Sequence, residues 1–248
     1  MPFSIEKSDV KEIKNITISN LQQSPLVIKY SQIWLVDDLK ILNCQQNLKV
    51  SDSVITQLIN SYFENNGGTG VSRGGALILI NSNVTIVDSQ FINNKAEKGG
   101  AIYFSWTNLY QGFLNITQSN FTGNSASSSG GALQYDLYRP NMINNNFGGN
   151  TAEYGPDIAS YPIVIKIKDT DIDQIVLNDV GSGVEDNFNL KVALYDQDGQ
   201  ITTLENSTQI QIRNIDKNTQ VLGKISIVVD KGVVNFQTLS FEAEPGIK

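Results

Sequence analysis

Phe91-Ile92-Asn93-Asn94-Lys95-Ala96-Glu97-Lys98-Gly99-Gly100-Ala101-Ile102 decides the fold, because the chain writes the same pattern four times. It appears as Phe63-Glu64-Asn65-Asn66 with Gly74-Gly75-Ala76-Leu77, and as Phe121-Thr122-Gly123-Asn124 with Gly130-Gly131-Ala132-Leu133. A fourth copy, Phe147-Gly148-Gly149-Asn150 with Gly155-Pro156-Asp157-Ile158, has lost its second glycine. Successive Phe residues lie 28, 30 and 26 residues apart, a period typical of stacked units that bury their apolar faces only against one another.

Asn, Gly and Ser are too frequent in each unit for a helical hairpin, and the apolar residues alternate instead of recurring every 3.6 residues. Val84 and Ile86 alternate with Thr85 and Val87, a polar corner follows at Asp88-Ser89-Gln90, and Phe91 turns inward again. Leu114 and Ile116, the corner Gln118-Ser119-Asn120 and Phe121 repeat the arrangement. Three short strands and three corners make one turn of a parallel β-helix. After the glycines, Leu77, Leu79, Ile102, Phe104, Leu133 and Tyr135 are all apolar or aromatic, so this set is expected inside, with Gln134 and the alanines in the opposite set. Turns stack ~4.8 Å apart. The Phe residues should therefore form one internal column, and Asn66, Asn94, Asn124 and Asn150 a corner ladder that satisfies turn backbone.

The linked F-x-x-N and G-G-A-[ILV] boxes resemble the repeats of chlamydial polymorphic outer-membrane proteins and of large repetitive protist cell-surface proteins. The resemblance covers roughly residues 50 to 158 and implies a right-handed helix of the pectin-lyase-like class on a surface or secreted protein, often adhesive. Family members are recognised by scaffold residues, so the resemblance brings no active site with it.

Before Leu48 the stretches Ile13-Lys14-Asn15-Ile16-Thr17-Ile18, Leu26-Val27-Ile28 and Ile33-Trp34-Leu35-Val36 read as further turns without the Phe/Asn/Gly punctuation. The β-helix is thus expected over residues 1–160. From Tyr161 the composition changes to longer alternating strands, Val164–Ile167, Leu190–Tyr195, Gln209–Ile212 and Ile225–Val229, with hairpin signals at Asp198-Gly199 and Lys231-Gly232. Their order resembles immunoglobulin-like modules of surface proteins and implies a β-sandwich over residues 161–248. In such modules another strand follows the place held by Pro245-Gly246, so the sandwich is expected to be incomplete and the chain to continue into a larger polypeptide.

Composition narrows the classes of function. Against 25 acidic residues stand 18 basic ones, a net charge of −7, with no Lys/Arg cluster, which argues against nucleic-acid binding. No apolar run approaches the ~20 residues of a membrane span, and Met1-Pro2-Phe3-Ser4-Ile5-Glu6 does not open a signal peptide. Read as complete, the chain would be cytoplasmic; read through its resemblance, it is an extracellular or cell-surface segment. Cys44 is the lone cysteine and is expected as a small buried residue in a strand. Five glycosylation sequons, at Asn15, Asn83, Asn115, Asn120 and Asn206, are about what chance gives for this Asn, Ser and Thr content, and Asn83, Asn115 and Asn120 should face solvent.

Catalytic chemistry is sparse. A hydrolase arrangement would gather Asp residues with His, and the chain has no His. The carboxylates Asp37, Asp38, Asp88, Glu97 and Asp136 fall on different corners, and Arg73 and Arg139 in different units. A lyase would need Ca²⁺-binding carboxylates beside an Arg or Lys base. Asp169-Thr170-Asp171-Ile172-Asp173 starts like a Ca²⁺ loop but has Gln174 where Gly is needed and Val180 where Glu is needed. Asp196-Gln197-Asp198-Gly199 reads first as a hairpin turn, with a shared Ca²⁺ site as its alternative. No catalytic, cofactor or metal residue is therefore assigned. Trp106, Tyr110 and Tyr138 fall in longer connections, as packing residues or a ligand platform. The expectation is a non-catalytic rod presenting a surface to extracellular protein or glycan, with a carbohydrate-active flank as the alternative.

Overall fold

The computed structural model describes residues 3–107, 112–170, 182–183, 189–215 and 218–243. The chain divides into two compact units, Met1–Tyr161 and Pro162–Lys248, and the regular structure described is all β.

The first unit is a parallel β-solenoid of about six turns. Its first turn holds β1 (Phe3–Glu6) and β2 (Asp9–Ser19), its second β3 (Leu26–Lys29) and β4 (Gln32–Leu42). The third holds β5 (Leu48–Ser51), β6 (Val54–Ile59) and β7 (Tyr62–Glu64). The fourth runs through β8 (Leu77–Ile80), β9 (Asn83–Val87), β10 (Gln90–Ile92) and β11 (Lys95–Lys98). Its successor repeats this as β12 (Ile102–Ser105), β13 (Leu114–Thr117), β14 (Asn120–Thr122) and β15 (Ser125–Ser129). The last contains β16 (Leu133–Tyr135), β17 (Asn141–Ile143) and β18 (Asn146–Gly148), and β19 (Ile158–Ala159) ends the unit. The unpunctuated N-terminal segment thus joins the same stack.

One sheet runs β1-β3-β5-β8-β12-β16-β19, all parallel. The second wall is wide at the start and split later. The first half of β4 pairs with β6 and its second half with β7. From the third turn a corner separates the two halves, and a further short sheet, β11 with β15, adds a side that the three-strand reading did not contain.

Inside, Phe63, Phe91 and Phe121 are fully buried, with ring centroids 4.8 Å apart and planes within 3°. Phe147 continues the column at 5.0 Å but is only half-buried in the last turn. Ile41 and Ile18 hold the same position in earlier turns. Leu77, Leu79, Ile102, Phe104, Leu133 and Tyr135 are buried, as their parity required. The alternation fails at one place, however. Ala76, Ala101 and Ala132 belong to the opposite set yet lie wholly inside the core, because the glycine corner breaks the period of two before the strand begins.

Corners are made by left-handed residues stacked from turn to turn. Asn15, Asp38, Asn60, Asp88, Gln118 and Asn144 form one series with φ between 47° and 54°. Lys7, Tyr30, Asp52 and Asn81 form another, and Asn20, Asn43, Asn65, Asn93, Gly123 and Gly149 a third. Asn, Asp and Gly tolerate this conformation best, which explains why F-x-x-N carries Asn or Gly immediately before its ladder Asn.

The ladder residue then ties two turns together. Asn94 Oδ1 accepts the backbone N–H of Asn66 at 3.0 Å and the Asn66 side-chain amide at 3.1 Å, while Asn94 Nδ2 donates to Phe63 O and to Asn124 Oδ1, both at 3.0 Å. Asn66, Asn124 and Asn150 repeat the pattern. Cys44 sits at the ladder position of the second turn, buried at a corner and not in a strand, and its N–H donates to Asn66 Oδ1. Two serine ladders accompany it. Ser31, Ser53 and Ser82 form one, and Ser61, Ser89 and Ser119 the other; each hydroxyl donates to the carbonyl two residues earlier and accepts a backbone N–H from the preceding turn. Corners of these turns are buried, so such bonds keep polar backbone from being stranded without water.

The paired glycines have separate reasons. Gly99 has φ 63°, as do its counterparts with similar positive values, whereas a Cβ on Gly100 would lie 2.1 Å from Gly131 O of the next turn. In the last turn Pro156 replaces that second glycine. No described strand stacks beyond β19, so no further turn among the described residues demands the close approach that Gly100 makes to Gly131 O.

The second unit contains β20 (Val164–Ile167), β21 (Leu190–Tyr195), β22 (Gln209–Gln211), β23 (Thr219–Leu222), β24 (Ser226–Val228), β25 (Val233–Phe236) and β26 (Ser240–Ala243). They form small antiparallel sheets, β20-β21-β25, β22-β24 and β23-β26. Val192, Leu194, Ile210, Val229, Val234, Phe236 and Leu239 make their core. Asp230 and Val233 exchange both backbone bonds around Lys231 and Gly232, at φ 49° and 72°, which is the expected two-residue hairpin.

Candidate functional site

A group of aromatic and charged side chains lies on the outer face of the β8-β12-β16-β19 sheet. Register places Ile78, Tyr103, Gln134 and Ala159 in one outward column. Sequence parity puts Gln134 in the set opposite the core, and its register partner Tyr103 points the same way, yet Tyr103 and Gln134 are only 1% and 2% exposed. Covering groups account for this. Arg73 lies over the Tyr103 ring at 4.8 Å, and Tyr161, two residues beyond β19, comes back within reach of Lys98, whose Nζ stands 5.5 Å from the Tyr161 ring centre.

Tyr103 donates its hydroxyl to Asp136, 2.9 Å and 3.0 Å from the two carboxylate oxygens. Burial, first, and the Asp136 charge, second, push the phenol far above its ordinary value, against a smaller opposing pull from Arg73. Tyr103 is therefore a neutral donor and not a base at neutral pH. Gln134 Nε2 donates to Tyr135 O at 3.3 Å, whereas its buried Oε1 has no hydrogen-bond partner. The sequence puts Arg73 and Arg139 in different units and Asp136 on a corner of its own; stacking brings Arg73 over the Tyr103 ring and Asp136 to its hydroxyl. The signal available in sequence was the register itself, since Lys98 follows Arg73 at the residue before each glycine pair.

The other residues singled out by sequence lie elsewhere. Asp37 accepts from Asn60 Nδ2 at 2.9 Å, Asp38 pairs with Lys40 at 2.9 Å, and Asp88 and Glu97 are exposed on separate sides. Arg139 is exposed, while Trp106 packs into the core cluster and Tyr138 partly buries against it. Tyr110 lies outside the described residues, as do residues 171–181 of the Ca²⁺-like string and residues 244–248 with Pro245-Gly246.

Asp196 is buried, and its Oδ1 accepts the backbone N–H groups of Asp198 and Gln200, each at 2.9 Å, so this carboxylate holds the hairpin. Among the described residues no three His, Cys, Asp or Glu side chains are grouped to hold a metal, and no helix is long and apolar enough to cross a membrane. Of the sequons, Asn15 and Asn206 are exposed; Asn83, Asn115 and Asn120 are half-buried along the outer face.

Comparison with known families matches residues 88–105 and 118–135 to the Chlamydia polymorphic membrane protein (Chlamydia_PMP) repeat. No curated protein and no solved structure matches the chain. Both matched segments begin at a left-handed corner, pass through the F-x-x-N ladder and end in the strand after Gly-Gly-Ala. The first unit is thus a parallel β-helix whose central turns resemble the polymorphic membrane protein repeats.

Proposed function

We propose that this chain is a non-catalytic structural or adhesive segment of a large cell-surface or secreted repeat protein, presenting a rigid β-helical rod for protein or glycan contacts. The observation that carries this reading is the run of side-chain ladders through successive turns, in the segment that resembles a surface-protein repeat. Sequence identity in these turns is spent on internal stacking, which leaves the outward positions free to vary.

The finer parts of the reading belong here too. The helix is right-handed and pectin-lyase-like, the second unit is an immunoglobulin-like sandwich that spaces or terminates the rod, and exposed sequons carry glycans. The antiparallel pairing of β20, β21 and β25 and the core around Val192 and Phe236 support the sandwich.

Labelling of intact source cells with a membrane-impermeant reagent, followed by a denaturing blot before and after N-glycan removal, tests the location. A labelled band far above 27 kDa that shifts downward is expected. An unlabelled, unshifted band near 27 kDa would overturn the surface reading. A carbohydrate-active flank is the second reading, favoured by the meeting of Arg73, Tyr103 and Asp136. New reducing or unsaturated ends from pectin, alginate or glucan, lost in Asp136→Asn, would establish it in place of the first.

A further inference from the structure

We propose that the outer face of the β8-β12-β16-β19 sheet binds an acidic glycan, with Arg73 and Lys98 holding its carboxylates and Tyr161 packing against a sugar ring. The proposal rests on the adhesive half of the function given above and names its ligand class.

Arg73 and Lys98 are register partners in successive turns, which sets their backbones one stacking distance apart, ~4.8 Å. Lys98 is paired in turn with Ser129, so the cationic pair ends there. In a chain with more acidic than basic residues, both would be expected to find carboxylates. Among the described residues neither has one within ion-pair distance, and each rests on an aromatic ring instead. A cation on a ring face keeps its other side open to an anion. Asp136 accepts the Tyr103 hydroxyl and forms no ion pair with either cation.

The class of anion follows from the neighbours. A free carboxylate or phosphate would use only the two cations. Tyr161 is 44% exposed and offers the flat amphipathic surface on which the C–H face of a sugar packs. Gln134 Oε1, buried in the same column as Tyr103, is an acceptor without a donor. A peptide side chain rarely brings hydroxyl donors, carboxylates and a flat C–H face together, whereas a uronic-acid sugar carries all three.

The test is titration calorimetry of the full chain with an oligogalacturonate, a neutral malto-oligosaccharide and an oligoaspartate. Binding of the oligogalacturonate alone is expected, weakened about tenfold or more by Lys98→Gln and by Arg73→Gln, as loss of a charge-assisted hydrogen bond implies. Tyr161→Ala should weaken it by a similar factor. Lys98 carries no structural hydrogen bond among the described side chains, so Lys98→Gln with an unchanged melting curve decides the matter even where Arg73→Gln perturbs the fold. Equal binding of oligoaspartate, equal binding of the neutral sugar, no binding of oligogalacturonate, or binding indifferent to Lys98→Gln would each overturn the proposal. None of these outcomes touches the surface reading, which cell labelling decides separately.

Discussion

Truncating Asn94 to alanine is the sharpest test of the ladder. The side chain is fully buried and makes four hydrogen bonds, two accepted from Asn66 and two donated, to Phe63 O and Asn124 Oδ1. Asn66 Nδ2 keeps Ile41 O, and Asn124 Oδ1 keeps the backbone N–H of Asn94. The Asn66 backbone N–H, however, is left buried with no acceptor, and Phe63 O loses a donor. At about 1–3 kcal/mol for each of the two groups so deprived, Asn94→Ala should destabilise the first unit by about 2–6 kcal/mol. Asn94→Asp should recover little, because a carboxylate cannot donate to Phe63 O and would face Asn124 Oδ1. Asn65 next door is the control: it lies outside the core at φ 54°, and Asn65→Ala should cost only the left-handed penalty, about 1–2 kcal/mol. Urea titrations followed by the fluorescence of buried Trp106 would read all three. A loss below about 0.5 kcal/mol for Asn94→Ala, or one no larger than for Asn65→Ala, would refute the argument that unmet backbone groups are what the ladder prevents.

Three further outcomes are expected. Phe91→Ala removes the middle of a stacked column and should cost about 3–5 kcal/mol in the same titration; an unchanged midpoint would contradict its inward position. Gly100→Ala should prevent folding or lower the melting temperature drastically, since the Cβ would meet Gly131 O at 2.1 Å. Pro156→Gly, at the same place in the last turn, should be mild, and equal effects in calorimetry would show that turn spacing is not the constraint. Glu205 Oε1 accepts the Ser207 hydroxyl and the backbone N–H groups of Ser207 and Thr208, which draws its carboxyl down to about 2. Its folded value is depressed, so its contribution is complete above the ordinary glutamate value of ~4.3 and disappears as pH falls through about 2. An NMR titration of Glu205 with a midpoint near 4.3 would contradict the capping role.

Which features were legible in sequence follows from which are repeated in sequence. Phe91 and Asn94 recur at fixed offsets because each must meet its own counterpart one turn away. The serines recur as well, at Ser61, Ser89 and Ser119, two residues before each Phe. Without register they read only as polar corner residues. Alanines 76, 101 and 132 were misplaced because alternation was carried through a corner where the chain leaves the extended region. Alternation places Gln134 on the correct side of the sheet, but the covering of its column by Arg73 and Tyr161 depends on contacts across turns. In the second unit no residue stacks on a copy of itself, so periodicity located strands such as Leu190–Tyr195 and left their pairing unstated.

Turn spacing itself is open to direct measurement. Thr17, Lys40, Tyr62, Gln90, Asn120 and Asn146 occupy one outward register line. With buried Cys44 replaced by Ala, spin labels can be placed in pairs at Thr17 with Gln90, with Asn120 and with Asn146. The stacked-turn account predicts backbone separations of about 14, 19 and 24 Å, rising by ~4.8 Å per turn. Separations that fail to climb in equal steps along this series would contradict the β-helix on which every other inference here depends.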